Sequence, residues 1–516
     1  MSRPETARPL MSEPLPSTWD VALADEAATA ELGRLLAEEL RPGDLVTLSG
    51  GLGVGKTSLA RALVRALSGD PRLDVPSPTF TLLQTYDTAA GPVVHADLYR
   101  IGGPGELREL GFDEAAEGAI LLVEWPERAG SALERDRLDV ALELDGGGRL
   151  ARVTGWGAFS ARLDRLRAVR RMLDRAGWGA ARRTPIQGDA STRAYERLTA
   201  ATGETAILMI APRRPDGPPV RRGKPYSALA KLAESVHAFV AVDRGLRALG
   251  LSAPRIYGED LEAGLLLLED LGDEPVVHDG APIPDRYGEA ARLLARLHAG
   301  TLPDALPVGD GRQHVLPAYD LEALLIEVEL LLDWYAPHIG RKLVPAATRA
   351  EFVALWSDVL QEVVAAPPTW TLRDFHSPNL IWLPERDDVA RVGLIDFQDA
   401  VLGHPAYDLV SLLQDARVTV PPDLELALLG HYARERAASD LGFDMAALAR
   451  AYAILGAQRA TKIAGIFARL DKRDGKPQYL RHLPRVEAYL ARNLAHPVLA
   501  RLRVWYETHV PRLTAA

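Results

Sequence analysis

The sequence contains no cysteine, which excludes disulfides, thiolate metal sites and cysteine nucleophiles. It also lacks a long apolar run. Stretches such as residues 264–268 fall far short of the roughly 20 residues that a membrane-spanning helix needs. Residues 1–20 are polar and proline-rich, without the apolar centre of a secretory signal. These absences predict a cytoplasmic protein with no membrane contact. A basic excess is missing too: 60 Lys and Arg face 70 Asp and Glu, a net charge of -10. A protein that held nucleic acid by itself would carry a basic patch, so any RNA contact is expected to run through a protein partner. There is no internal repeat and no low-complexity run. What remains is a globular composition, 47% hydrophobic and 25% charged. A chain of 516 residues exceeds one core and predicts several domains.

Two unrelated phosphate-handling motifs are present. The first is Gly50-Gly51-Leu52-Gly53-Val54-Gly55-Lys56-Thr57, a full P-loop. The apolar run Leu45–Leu48 feeds it, and Leu59, Ala62, Leu63, Ala66 and Leu67 recur at helical spacing behind it until Gly69. Gly50, Gly53 and Gly55 let backbone N–H groups turn inward around phosphates at a helix N-terminus. Lys56 is expected to reach the β- and γ-phosphates, Thr57 to hold magnesium, and Ser58 to complete the nucleotide-binding turn, so ATP with Mg2+ is the implied ligand. Two strand-like runs end in acids, at Asp97 and Glu124. Such placement suits a metal-holding or water-orienting carboxylate; a solvated acid at a strand end is the plain alternative. Trp125 reads equally as a packing aromatic or a nucleotide contact. The alternation of strands and helices predicts an α/β P-loop domain with a mostly parallel sheet.

The flanking segments Ser77-Pro78-Thr79-Phe80-Thr81-Leu82, His95-Ala96-Asp97-Leu98-Tyr99-Arg100, Glu109-Leu110-Gly111 and Val123-Glu124-Trp125-Pro126-Glu127 strongly resemble the TsaE family. That family supplies the ATPase of the bacterial machinery that makes threonylcarbamoyladenosine in tRNA. The resemblance runs over about residues 18–155. It implies that Lys56 and Thr57 bind ATP and magnesium, that Asp97 and Glu124 serve the metal and hydrolysis, and that Thr79 lies in a switch-like segment. It also implies docking on a TsaB–TsaD-like pair, with tRNA reached only through those partners.

The second motif is Asp374-Phe375-His376-Ser377-Pro378-Asn379, followed by Ile395-Asp396-Phe397. The D-x-x-x-x-N spacing is that of a kinase catalytic loop. Asp374 would take the proton of an acceptor hydroxyl, and Asn379 and Asp396 would hold Mg2+. Upstream, Gly188-Asp189-Ala190-Ser191 stands where a phosphate-covering turn belongs, with Gly188 and Ser191 as candidate nucleotide contacts; a plain hairpin turn is the alternative. Leu265–Leu268 leads into Glu269-Asp270-Leu271-Gly272, which resembles an interlobe hinge whose backbone at Glu269 and Leu271 binds adenine. Asp408 is expected to brace the catalytic loop. A small mixed lobe followed by long amphipathic helices completes a two-lobed protein-kinase-like α+β layout. These segments resemble the aminoglycoside phosphotransferase and choline kinase superfamily. Gly188-Asp189-Ala190-Ser191, Leu372-Arg373-Asp374-Phe375-His376, the stretch Asp396 to Pro405, and Gln458 through Tyr479 look like its AmgK branch, which phosphorylates the anomeric hydroxyl of N-acetylmuramate and N-acetylglucosamine in cell-wall recycling. The implied substrate is an amino sugar.

Two positions depart from the superfamily. Leu372 replaces a common histidine, and Met209 stands where the strand-borne ATP lysine is expected. Arg193 or Arg197 is the candidate to supply the missing charge. Gln458, Arg459 and Lys462, on one helix with Gly465, Phe467 and Arg469, are candidates for sugar binding, against the alternative of a solvated helix face. Trp334 and Tyr335 read as core aromatics before sugar-stacking ones. The predicted organisation is a disordered lead over 1–17, the P-loop domain over 18–157, the small kinase lobe over 158–275 and the helical lobe over 276–516. Alternative acceptors are an aminoglycoside, choline or another small alcohol. A degenerate kinase serving as a docking module for the ATPase is the non-enzymatic alternative.

Overall fold

The computed structural model describes residues 15–79, 81–109, 111–133, 136–186, 193–213, 217–340 and 344–513. Backbone contacts divide the chain into two compact units, Met1–Gly179 and Ala180–Ala516.

In the first unit, β1 (Ser17–Leu23) leads into α1 (Glu26–Ala37), whose N-terminus is capped by the Asp25 side chain. Strand β2 (Leu45–Gly50) is buried on both faces and ends at the P-loop, and α2 (Lys56–Ser68) starts directly on Lys56. Strands β3 (Leu83–Thr88), β4 (Gly91–Asp97), β5 (Ile120–Glu124), β6 (Arg137–Asp145) and β7 (Gly148–Trp156) complete a seven-stranded sheet in the order β1-β7-β6-β2-β5-β4-β3. The pairs β6–β2, β2–β5 and β5–β4 are parallel. The pairs β1–β7, β7–β6 and β3–β4 are antiparallel. The sheet is therefore parallel only at its centre, a correction to the mostly parallel sheet expected. Hairpins are closed by short turns, and the sequence around Gly146 and Gly91 supplies them. The centre is parallel because helices return the chain between its strands.

Two boundaries also move. Ser17 belongs to β1 and not to the lead; the rest of the expected lead, 1–14, lies outside the described residues. The arginine-rich helix Ala158–Arg175 buries Phe159, Leu163 and Leu166 in the core of the first unit, with Val46, Leu138 and Val153. It therefore belongs to that unit and not to the small kinase lobe, whose expected start was 158. Its apolar face is what decides, because it can be covered only where a partner surface exists.

The second unit opens with a five-stranded antiparallel sheet, in the spatial order Ile256–Asp260, Leu265–Glu269, Thr205–Ile210, Ala194–Thr199, Arg182–Ile186. Helix Val236–Ala248 packs Phe239 and Val240 into one core with Met209, Leu266 and Leu268. The remainder is mainly helical and includes the 30-residue helix Met445–Asp474. Short strand pairs Thr369–Thr371 with Val401–Gly403, and Leu380–Trp382 with Val392–Leu394, flank the catalytic loop.

Candidate active sites

The P-loop leaves β2 at Gly50. Gly50, Gly53 and Gly55 all have positive φ (129°, 74° and 110°), a region that favours glycine. A Cβ on Gly50 would stand 2.3 Å from the Leu142 carbonyl oxygen. Lys56 Nζ donates to the Gly50 and Gly51 carbonyls at 2.7 and 2.8 Å and lies 3.7 Å from the Trp125 ring centroid. Burial pushes the Lys56 ammonium below its ordinary pKa, against the charges of Glu124, Glu127 and Asp97. Thr57 Oγ1 donates to Glu124 Oε2 at 3.0 Å, and His95 Nε2 stands 2.9 Å from Glu124 Oε1. Asp97 accepts from the Tyr99 N–H at 3.0 Å and from Ser77 Oγ at 3.4 Å. Asp97 and Glu124 are 5% and 2% exposed, so neither is a solvated strand-end acid. Ser58 is half-buried in the first turn of α2. A hydroxyl held by a buried carboxylate, with a second buried carboxylate nearby, is an oxygen donor set that fits Mg2+. The sequence alone assigns His95 no role. Its contact with Glu124 comes from neighbouring parallel strands β4 and β5 and is a tertiary fact. Trp125 packs on Tyr99 at 5.0 Å between centroids, and its place over Lys56 puts it in the site.

In the second unit, Asp374, Asn379 and Asp396 line one cavity with Leu372, Phe375, Leu380, Leu394, Ile395 and Phe397. Asn379 Nδ2 donates to the Asp374 carbonyl at 2.9 Å, which leaves the amide oxygen as its acceptor. Asp396 has φ 58°, and burial and the neighbouring Asp374 charge push its carboxyl up from the ordinary value. Two carboxylates and an amide oxygen on one cavity suit a divalent cation. Phe397 stacks on Phe239 at 4.8 Å, which ties the Asp396 loop to helix Val236–Ala248. Burial opposes the charge of Asp374, but His376, Lys462, Arg459 and Arg373 together hold its carboxyl below the ordinary value. Asp408 is fully buried and accepts the N–H groups of Leu372 and Arg373 at 2.7 and 2.9 Å, which is the bracing role expected.

A model for "Threonylcarbamoyl adenosine biosynthesis protein TsaE" matches residues 23–151. A model for "Phosphotransferase enzyme family" matches residues 182–449. An N-acetylmuramate/N-acetylglucosamine kinase of Caulobacter vibrioides is 42% identical over 352 residues, 66% of this chain and 95% of that protein. A tRNA threonylcarbamoyladenosine biosynthesis protein TsaE of Rickettsia felis is 41% identical over 147 residues, 28% of this chain and 85% of that protein. The chain joins the TsaE family to the phosphotransferase enzyme family. It is an enzyme with an ATPase half and a phosphotransferase half. Among solved structures, an ADP-bound aminoglycoside phosphotransferase APH(2'')-Ib aligns with a TM-score of 0.39 at 12% identity, over 64% of this chain and 99% of that one.

Within the phosphotransferase half, the two candidate arginines part company. Arg193 Nη1 donates to Asp396 Oδ1 at 2.9 Å, at the metal-type carboxylate. Arg197 pairs instead with Asp270 at 2.8 Å and is not brought to Asp396. Met209 is 1% exposed and contributes to the core. Gly188 and Ser191 lie outside the described residues. Leu271 is buried, and Glu269 spends its carboxylate on Arg386 at 2.7 Å and on the Arg255 N–H at 3.0 Å. Of the sugar-binding candidates Gln458, Arg459 and Lys462, two are committed to a buried carboxylate, and the alternative of a solvated face does not hold either. Gln458 Nε2 and Lys462 Nζ reach the fully buried Glu327 at 3.0 and 2.8 Å. Arg373 Nη2 reaches the same carboxylate at 2.6 Å, and the Tyr319 hydroxyl donates to it as well. Arg459 donates to Ser411 Oγ at 2.8 Å and comes within 3.9 Å of the Asp374 carboxylate. Of the three, Arg459 alone is thus placed directly against Asp374. Gly465 meets the Leu330 backbone, and Tyr335 is a buried core residue bonded to Glu487 at 2.6 Å.

Proposed function

We propose that the protein is bifunctional: an ATPase of a tRNA threonylcarbamoyladenosine-forming assembly, and an ATP-dependent kinase of the anomeric hydroxyl of N-acetylmuramate or N-acetylglucosamine. The observation that carries the acceptor reading is the charge around Asp374. His376, Lys462, Arg459 and Arg373 lower its pKa; burial pushes the His376 imidazole itself down to about 4, and Lys462 and Arg373 are paired with Glu327, so Arg459 is the cation set against Asp374. A guanidinium beside the catalytic carboxylate disfavours an aminoglycoside or choline and suits a neutral or anionic sugar. The 42% identity to an N-acetylmuramate/N-acetylglucosamine kinase supports the same choice, and cell-wall recycling is the role that such a substrate implies.

In the transfer, the anomeric oxygen forms a bond to the γ-phosphorus while the bond from that phosphorus to the β,γ-bridging oxygen breaks. Asp374 accepts the hydroxyl proton, and ADP leaves. Asp374 is ionised throughout the neutral range, so it is ready to do so. Asn379 and Asp396 would hold Mg2+, which supplies charge neutralisation at the phosphates when bound. In the TsaE half, Lys56 would engage the phosphates and Thr57, Asp97 and Glu124 would hold Mg2+, with Glu124 oriented by His95. Hydrolysis there would drive an assembly with TsaB–TsaD-like proteins. The net charge of -10 accords with tRNA reached through those partners.

Purified protein with labelled ATP and a panel of N-acetylmuramate, N-acetylglucosamine, kanamycin and choline tests the kinase. An acid-labile, alkali-stable sugar 1-phosphate is expected; transfer to kanamycin or choline alone overturns the acceptor reading. For the ATPase, hydrolysis is expected to rise when a TsaB–TsaD pair is added, and the rise is lost in Lys56→Ala.

A further inference from the structure

Arg149 belongs to neither site as described so far. It stands in β7, opposite Leu144 of β6 and Leu23 of β1, so its backbone is held in the sheet on both sides. Its side chain leans over the P-loop: Nε lies 3.0 Å, and Cδ and Cζ 3.4 Å, from the place a Cβ would take on Gly55. Gly55 is the N-cap of α2, where backbone N–H groups are directed at an anion. Arg149 Nε is buried without a hydrogen-bond partner among the described residues, and none of their acids pairs with its guanidinium. A buried, unpaired guanidinium nitrogen is costly. It is also a planar donor of fixed charge, matched to phosphate oxygens. The neighbouring cation, Lys56, sits in the field of Glu124, Glu127 and Asp97 and donates to the Gly50 and Gly51 carbonyls. Arg149 adds positive charge on the β7 side of the loop.

We propose that Arg149 is a ligand of the nucleotide polyphosphate, a second cation at the P-loop whose target is an anionic oxygen. The proposal rests on the ATPase reading of this unit. It also gives Gly55 a reason beyond its φ of 110°: any side chain there would displace the guanidinium.

The test is calorimetric titration of the full-length chain with ADP, at two salt concentrations. Lys56→Ala identifies the P-loop isotherm, since it leaves that of the kinase half in place. Arg149→Met keeps the apolar stem against Gly55 and removes the charge. It is expected to weaken the P-loop isotherm about tenfold or more and to flatten its salt dependence, while the other isotherm stays the same. Arg149→Lys is expected to fall between. Unchanged ADP affinity in Arg149→Met overturns the proposal, and so does a loss with undiminished salt dependence, which would mark a packing defect. If Arg149→Met does not fold, wild-type affinity and salt dependence in Arg149→Gln overturn it. If Lys56→Ala leaves both isotherms intact, the P-loop reading itself has failed, whatever Arg149 does.

Discussion

Met209 shares a sheet face with Tyr195 and Arg197 on one neighbouring strand and with Leu266 and Leu268 on the other, through the pairs Met209–Tyr195, Ile207–Arg197, Met209–Leu266 and Ile207–Leu268. At 1% exposure it fills core volume. Met209→Leu is expected to cost less than about 1.5 kcal/mol and to leave sugar-kinase kcat/KM unchanged. Met209→Lys would bury an ammonium at a core position and cost several kcal/mol, on the order of the 3–5 kcal/mol of an uncompensated buried charge. Urea unfolding of the second unit measures both. At the catalytic loop, Asp374→Asn is expected to lower sugar phosphorylation by about 10²–10⁴-fold and to leave P-loop hydrolysis unchanged, read as product formation and as phosphate release. The absence of a strand lysine was plain in the sequence. The choice between Arg193 and Arg197 was not, because the two lie four positions apart beside the same strand. Only folding puts Arg193 at 2.9 Å from Asp396 and Arg197 against Asp270.

Helix Met445–Asp474 carries the largest change between sequence and structure. Its apolar spacing is legible, but Gln458 and Lys462 read as sugar-binding candidates or a solvated face because the sequence does not show Glu327 arriving from helix Leu321–Val328. Burial alone would raise the Glu327 pKa. Lys462 and Arg373, with hydrogen bonds from Lys462 and Tyr319, outweigh it and hold the carboxyl below its ordinary 4.5. A folded pKa depressed in this way contributes stability that is present above about pH 4.5 and is lost as pH falls through the folded value. Glu327→Gln strands Arg373 and Lys462 and is expected to cost about 3–5 kcal/mol near neutral pH. The gap between variant and wild type should narrow as pH falls below the ordinary 4.5 and through the depressed folded value, as read from urea midpoints across pH. Gly465, on the same helix, is a packing position: a Cβ would stand 2.4 Å from the Leu330 backbone carbon. Gly465→Val is expected to destabilise the second unit by at least ~1–3 kcal/mol, with ADP binding at Lys56 unaffected.

The two units have separate hydrophobic cores. One gathers Met209, Phe239, Phe397 and the C-terminal helices; the others gather around Leu48, Leu63 and Val140, and around Val94, Leu121 and Val123. Separate cores predict two unfolding transitions in calorimetry of the full chain. Gly465→Val should lower one of them, and nucleotide bound at the P-loop should raise the other. Division of the chain between Gly179 and Ala180 is expected to yield a folded ATPase fragment, whereas division at 157/158 removes the helix that covers Leu138 and Val153. Circular dichroism melts of the two truncations check this.

Both phosphate sites were legible in the sequence, because each depends on residues close together in the chain: Gly50 to Thr57, and Asp374 to Asn379 with Asp396 shortly after. Local spacing sets which backbone N–H groups and which carboxylates can converge, and that chemistry carries the two family resemblances. Charge partners across long separations were left to the tertiary structure. His95 against Glu124, Glu327 among Arg373 and Lys462, Arg193 on Asp396 and Arg149 over Gly55 all join residues on different elements. The allegiance of the helix Ala158–Arg175 was decided in the same way. A side chain's partner depends on strand order and helix packing, and those follow from the burial of whole apolar faces.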